Sequence, residues 1–417
     1  MGGSGAVVAV SCAEGWDFAA CEVRGPMSRE RAAARDGAGL PYVVVFRVAG
    51  RAAPVEVWLV SWQDHYLGVW GYDEPGRRTD EFDLRLLDGD RLLRRYTKSR
   101  QYDGPDAAEF DEDRCRVDAL ELFADGGAVR TTRAGRSGGS LSTRPSIGDE
   151  QRWRARPAFG EWEPFTAGKQ GFDGLPLVFE GDAAPLTEGR AGKKAEPWLP
   201  PRPARPLHLD ALFRPGTRLW TSFEPMTVLD VRPVGTVRVP SGRLVVDCPW
   251  TGDGRELTVG VPAGEYVVES AWTHCAYEFM GAHVEHEDTP AVRLRVSDEP
   301  VAEWEMGLAP EDDLRVLPDG HAYGFSTDVA AGSFADGAAW QPLSEPFRQA
   351  AGQRAVEAEE LGNGFLRTTE EALSADLLSF CTDGDGTYAV WVGRSESGDV
   401  AAVVVQTGHL PDLKVLD

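Results

Sequence analysis

The chain of 417 residues carries 43 Lys and Arg against 67 Asp and Glu, a formal charge of -24, and 42% of it is hydrophobic. That length exceeds what one core usually organises, and the apolar content, with 13 Trp, 17 Phe and 9 Tyr, excludes wholesale disorder, so two packed domains are expected. The negative balance opposes general attraction to nucleic acid or to an anionic membrane.

The residues Met1 to Ser11 hold no Lys or Arg, and the apolar run Ala6 to Val10 is too short for the core of a secretion signal, so a cytoplasmic protein is expected. No run approaches the ~18 apolar residues that span a bilayer. From Pro41 to Thr97 short β-branched and aromatic runs alternate with turn signals: Tyr42–Phe46, Val55–Val60, Tyr66–Trp70, Phe82–Leu86 and Arg91–Leu93. Connections this short suit hairpins, which predicts an antiparallel meander or barrel, continued by strands at Val117–Phe123 and Ala128–Thr132. Arg133 to Ser140 reads as a mobile loop, and 181–206 collects Gly, Lys, Arg and Pro as a linker. The domains are therefore expected at 1–180 and 207–417, with cleavage by a protease expected in the linker.

Beyond the linker, strands are predicted at Thr227–Val231, Arg243–Asp247, Glu256–Val261, Tyr266–Thr273, Val292–Val296, Val301–Leu308, Tyr388–Gly393 and Val400–Gln406. Turns separate most of them, which argues for a sandwich. Helix is expected only at Ser344–Leu361 and Glu370–Leu377, so the fold class is mainly β: two antiparallel β-rich domains with a few short helices. Residues 219–417 hold 34 acids and 12 bases, net -22, leaving 33 and 31 in 1–218, so the acidity belongs to the C-terminal half. Only five of the cations are Lys, the residue usage of a GC-rich bacterial gene. The cysteines, Cys12, Cys21, Cys115, Cys248, Cys275 and Cys381, are sparse and form no Cys-x-x-Cys, so reduced thiols are expected.

Each catalytic motif has a plainer explanation. Gly135-Arg136-Ser137-Gly138-Gly139 lacks the strand and helix that flank a nucleophile elbow. His283-x-x-His286 sits among acids, but its surroundings suit a solvated hairpin tip and a loop entering a strand better than a ligand set. Asp383-Gly384-Asp385-Gly386 opens like a calcium loop, yet Tyr388 and Arg394 stand where Gly and Glu are needed, so a tight turn explains it. Glu303 and Glu305 flank Trp304 as ordinary acids of an exposed strand face. Seven arginines between Arg130 and Arg156, interleaved with aromatic residues, are compatible with nucleic acid; they are expected instead to face the acidic half of the same chain.

Three segments of the C-terminal half, Val239–Asp247, Val261–Glu269 and Ala291–Asp298, are followed by Tyr323–Asp328, Ser333–Asp336 and the Gly384-Asp385-Gly386 element with Tyr388 and Val390. In order and spacing they resemble an uncharacterised bacterial family, domain of unknown function 4241, over about 210–410. Ala389 departs from that pattern, where proline is expected. The resemblance implies no reaction, but it singles out Asp247, Asp328, Asp336, Asp383 and Asp385, all at strand ends or turns, as candidate binding residues. They either converge at one rim, where loops gather, or cap their own turns.

The expected function is non-enzymatic: an acidic β-rich module that docks a basic protein partner, in the manner of an immunity protein or antitoxin. No cofactor, membrane or nucleic-acid partner is expected. The alternatives are a metal-assisted hydrolase using the Asp cluster and a carbohydrate or small-ligand binder using exposed Trp residues of the meander.

Overall fold

The computed structural model describes residues 7–135, 138–180, 199–221, 225–350, 355–408, 410 and 413–416. The fold is mainly β, with antiparallel sheets and a few short helices. The chain divides into two compact units, Met1–Arg202 with Leu314–Asp319, and Pro203–Asp313 with Gly320–Asp417. The greater part of the expected linker, 181–198, lies outside the described residues, as do Arg136 and Ser137 of the Gly-x-Ser-x-Gly match and His409.

The first unit is built on a twelve-stranded sheet among the described residues. Its strands are β1 (Val8–Asp17), β2 (Glu22–Met27), β3 (Tyr42–Val48), β4 (Glu56–Ser61), β5 (Tyr66–Tyr72), β6 (Arg78–Leu87), β7 (Arg91–Tyr102), β8 (Cys115–Leu122), β9 (Ala128–Ala134), β10 (Ser140–Thr143), β11 (Trp153–Ala155) and β12 (Leu177–Phe179). From β3 to β10 each strand pairs with the next, the predicted meander, while β1 lies between β3 and a parallel β12. Continuous apolar runs in β3 and β4 follow from burial on both faces. Tyr42, Val44 and Phe46 join Trp58 and Val60 in one core, whereas Val43 and Val45 join Val57, Leu59, Trp16 and Tyr72 in another. Strand β1 and the helix Arg29–Gly37, capped by the Ser28 hydroxyl, extend the sequence reading.

The segment after β11 covers one sheet face through Phe159, Trp162, Phe165 and Phe172. Glu56, fully buried in β4, anchors it: its carboxylate accepts from Phe165 N (2.9 Å), Thr166 N (2.8 Å) and Thr166 Oγ1 (2.7 Å), and from Trp58 Nε1. Trp58 and Trp62 are buried and Trp70 is half-buried, which corrects the expectation of exposed Trp on this meander: the rings pack into or against cores.

The second unit is a sandwich of two sheets. One contains β13 (Arg218–Trp220), β14 (Pro225–Val239), β16 (Gly264–Phe279), β17 (Ala282–Arg295), β18 (Glu303–Met306), β19 (Gly324–Thr327), β24 (Gly386–Arg394), β25 (Val400–Gln406) and β26 (Lys414–Leu416). The other runs β15 (Leu244–Asp247), β20 (Ala331–Asp336), β23 (Ala375–Cys381), β22 (Phe365–Glu370) and β21 (Glu359–Gly362). Val237, Val268, Leu294 and Val403 of the first meet Leu244, Phe334, Leu378 and Phe380 of the second in a common core.

Three predicted elements are corrected. Glu256–Val261 is not a strand: a single bridge joins Glu256 to Val245, and Leu257 and Val261 enter the core from irregular backbone closed by Val261 N on Gly242 O. The helix expected at Ser344–Leu361 spans Trp340–Gln349, and Glu359–Gly362 is β21; residues 351–354 lie outside the described residues. The helix expected at Glu370–Leu377 is a hairpin, with Glu370 paired to Ala375 around a turn that holds Ser374 at φ 50°. Burial of β23 on both faces, Leu378 and Phe380 in one core and Ala375 and Leu377 in another, overrides its helical propensity.

Candidate functional site

The five candidate aspartates separate into two classes. Asp247 ends β15 and is buried; its carboxylate accepts from Cys248 N (2.8 Å), Gly254 N (2.9 Å) and Arg255 N (2.8 Å). Asp336 ends β20, also buried, and accepts from Ser241 N (2.8 Å), Ala338 N (2.9 Å) and Ala339 N (3.2 Å). Because Leu244 pairs with Asp336 and Asp247 with Ser333, the two acids stand at opposite ends of one strand pair, about 10 Å apart by the strand rise. Both cap turns, as the plainer expectation had it.

Asp328, Asp383 and Asp385 are exposed and lie toward the same end of the β19 and β24 pair, at the rim of the sheet. Strand β19 pairs with β24 so that Thr327 faces Gly386, and continuing that register sets Asp328 opposite Asp385. Thr382 N donates to Ala330 O (2.9 Å) and Asp383 N to Thr407 O (2.8 Å), which binds the turn to the starts and ends of its neighbours. Gly384 sits at φ +82°, a conformation that a side chain resists, so the tight turn depends on it.

Beside this rim lies a groove of about 530 Å³ lined by Asp383, Asp385, Tyr388, Gln406 and Leu410. Tyr388 stacks on Phe325 at 5.8 Å and donates to Gly384 O (2.9 Å); Gln406 is held by Trp391 Nε1 (3.1 Å). Burial, and then the charges of Asp383 and Asp385, push the Tyr388 phenol above its ordinary value. Gln406 and Leu410 carry no motif, and their place beside the turn follows only from how β24 and β25 pair.

The electrostatics of this unit rest on where its cations go. Arg238 pairs with Asp376, Arg243 with Glu256, Arg255 with Asp312, Arg293 and Arg295 with Glu269, Arg367 with Glu359 and Arg394 with Glu305. Among the described residues no ion pair reaches Asp328, Asp383 or Asp385. Nor, among them, do three or more His, Cys, Asp or Glu gather so as to hold a metal ion. Glu305 is thus an ion-pair acid.

His283 and His286 lie within β17, not in a loop, and so face opposite sides of it. His283 sits between Glu278 and Glu285 (3.1 and 3.0 Å), while His286 meets the edge of Tyr277 at 5.9 Å. The arginine stretch finds partners within its own unit. Arg130 pairs with Asp118, Arg133 with Glu112 and Arg154 with Glu163, while Arg152 donates to the carbonyls of Phe123, Gly126 and Gly127. These partners all belong to the first unit, close in sequence or across adjacent strands, and need no acids from the C-terminal half.

Residues 237–405 match the model of a family described as Protein of unknown function (DUF4241), and no curated protein or solved structure matches the chain. The matched span runs from β14 to β25 and takes in both sheets of the sandwich, the two capping aspartates and the acidic rim. No helix among the described residues is long and apolar enough to cross a membrane.

Proposed function

We propose that the protein is a non-enzymatic binding protein whose C-terminal sandwich docks a cationic protein partner at the rim formed by Asp328, Asp383 and Asp385. One observation carries this reading: most arginines of the sandwich are taken up by its own carboxylates, while these three acids stay exposed and without an ion pair among the described residues, Asp383 and Asp385 lining a groove with aromatic, amide and aliphatic walls. Exposed acids without partners steer a cationic surface, and the groove gives that surface shape to engage. Asp247 and Asp336 support the rim by fixing its strands and do not contact the partner. An immunity-like or antitoxin-like role fits this chemistry. No observation favours the hydrolase, because the two buried carboxylates already accept from backbone donors.

The test uses a short poly-arginine peptide and its neutral poly-glutamine counterpart, titrated against the whole chain. Replacing Asp328, Asp383 and Asp385 together by Asn is expected to weaken poly-arginine binding at least about tenfold and to slow association more than it speeds dissociation. Neutralising Glu278, Glu285 and Glu287 on the hairpin removes the same charge elsewhere and is expected to do less. Equal losses from both variants, or none from the first, would reject the rim as the docking site.

A further inference from the structure

The first unit holds a recess of about 320 Å³ between its sheet and the chain that follows β11. Trp58, Leu67 and Leu92, all buried, and Phe165 give it apolar lining; Arg154, Arg156, Glu161 and Glu163 supply its charges. The two arginines each have carboxylate partners, but these hold them loosely. Arg154 donates to Glu163 (3.1 Å), a carboxylate whose side chain is 79% exposed, and lies over the Phe165 ring at 4.4 Å. Arg156 lies over the Trp62 ring at 4.6 Å and stays 3.7 Å from Asp90 and 4.0 Å from Asp36, too far for a hydrogen bond, so its N–H donors are not used by these acids. The Asp36 Oδ1 atom is already engaged by Tyr42 (2.7 Å) and Trp62 (2.6 Å).

A third guanidinium stands behind the Phe165 wall. Arg94 lies 5.8 Å over the ring of Phe82, which packs against Phe165 at 5.1 Å. Its Nε is buried without a hydrogen bond, and among the described residues no carboxylate pairs with it. Burial, with Arg154 nearby, holds Arg94 below its ordinary pKa. A guanidinium does not discharge by losing its proton at any ordinary pH, so an incoming anion is what relieves such a site.

We propose that this recess binds a small organic acid with a flat apolar body, its carboxylate held by Arg156 and Arg154 and its ring against Trp58 and Phe165. The guanidinium fork matches a carboxylate in two parallel hydrogen bonds, and the volume falls at the small end of ligand pockets. Glu161, exposed at the recess, opposes a polyanion more than a single buried carboxylate, because water screens it from the interior.

The experiment titrates the whole chain by calorimetry with 2-naphthoate, with its neutral counterpart 2-naphthamide, and with inorganic phosphate. Naphthoate is expected to bind, and naphthamide to bind at least about tenfold more weakly, the loss of a charge-assisted contact. Arg156→Gln is expected to cost a similar factor, and Glu161→Gln to tighten binding about two- to threefold by removing a repelling charge. If Arg156→Gln fails to fold by circular dichroism, Arg154→Gln takes its place with a smaller expected loss, since Glu163 already shares Arg154. Absence of naphthoate binding, equal binding of naphthamide, or unchanged affinity in the folded arginine variant would overturn the proposal. Phosphate binding as tightly as naphthoate would also overturn it, since the apolar body would then contribute nothing.

Discussion

Arg238 closes on Asp376 with two guanidinium nitrogens on two carboxylate oxygens, at 2.8 and 2.9 Å, joining β14 of one sheet to β23 of the other. The Arg238 backbone N–H (3.0 Å) and Thr369 Oγ1 (2.7 Å) complete the shell of this nearly buried carboxylate. Burial alone would raise the Asp376 pKa, but these hydrogen bonds outweigh it and hold the carboxyl below its ordinary 3.8. An acid depressed on folding contributes stability that is full above the unfolded pKa and is lost as pH falls through the folded one. Asp376→Ala is expected to destabilise by about 2–3 kcal/mol at neutral pH, discounted for the partly exposed Arg238. Urea unfolding from pH 7 down to pH 2 checks it: the variant should lose part of the wild-type decline below about pH 4.

Glu56 supports a second prediction. Its two oxygens each accept two donors, so Glu56→Gln turns one acceptor into an amide that faces N–H or O–H groups. A cost of about 2–3 kcal/mol is expected. Hydrogen exchange should localise the effect to residues 159–172, and an unchanged exchange pattern there would contradict the anchoring role.

His283 gives a pH dependence of the opposite sign. Only the imidazolium donates from both nitrogens, to Glu285 and Glu278, and these bonds raise its pKa above 6.5. A histidine raised on folding contributes stability that is full below the unfolded pKa and is lost as pH rises through the folded one. Proton NMR should place its titration above that of a free histidine, and Glu285→Gln should lower it. Exchange of amides at the distal end of the β16 and β17 hairpin is expected to quicken, beyond the intrinsic base catalysis, across that same window.

Thiol chemistry offers a fourth check. All six cysteines are thiols outside any disulfide, but only Cys381 is exposed, and burial pushes the Cys12 thiol up to about 12. A thiol reagent added to native protein is expected to modify Cys381 first and Cys21 more slowly, with Cys12, Cys115, Cys248 and Cys275 reacting only after unfolding. Fast modification of Cys12 would contradict its burial.

Gly252 tests the cap on Asp247. A Cβ on Gly252 would stand 2.3 to 2.4 Å from the Asp247 carboxyl group, so Gly252→Ala must displace it. Gly252→Ala and Asp247→Ala are each expected to cost about 2 kcal/mol, and the double variant little more than either, because they remove the same hydrogen bonds. Full additivity would separate the two.

The meander was legible in the sequence because strands buried on both faces must be apolar throughout, as Tyr42–Phe46 and Val55–Val60 are. Strand β1 was harder to see, since Ser11, Glu14 and Gly15 interrupt its apolar pattern and its pairing with β12 comes from distant residues. In Glu370–Leu377 the side chains favour helix locally, but the hairpin register across β22 and β23 prevails. The site divides in the same way. Aspartates at strand ends can be recognised from their neighbours, whereas the donors that make Asp247 a cap, Gly254 and Arg255, come from a loop whose return no local pattern announces.

The parallel pairing of β1 with β12 sets an order of events during synthesis. Val8, Ala9 and Val10 register with Leu177, Val178 and Phe179, so the sheet cannot acquire that edge until about 170 further residues have been translated. At ribosomal rates of roughly 5–20 residues per second that interval is ~10–30 s, long enough for the antiparallel strands to pair first. β2 covers β1 from Cys12 to Asp17 early, so the nascent unit presents Val8 to Val10 as an open margin during this wait, and a chaperone that masks exposed strand edges has its natural window there.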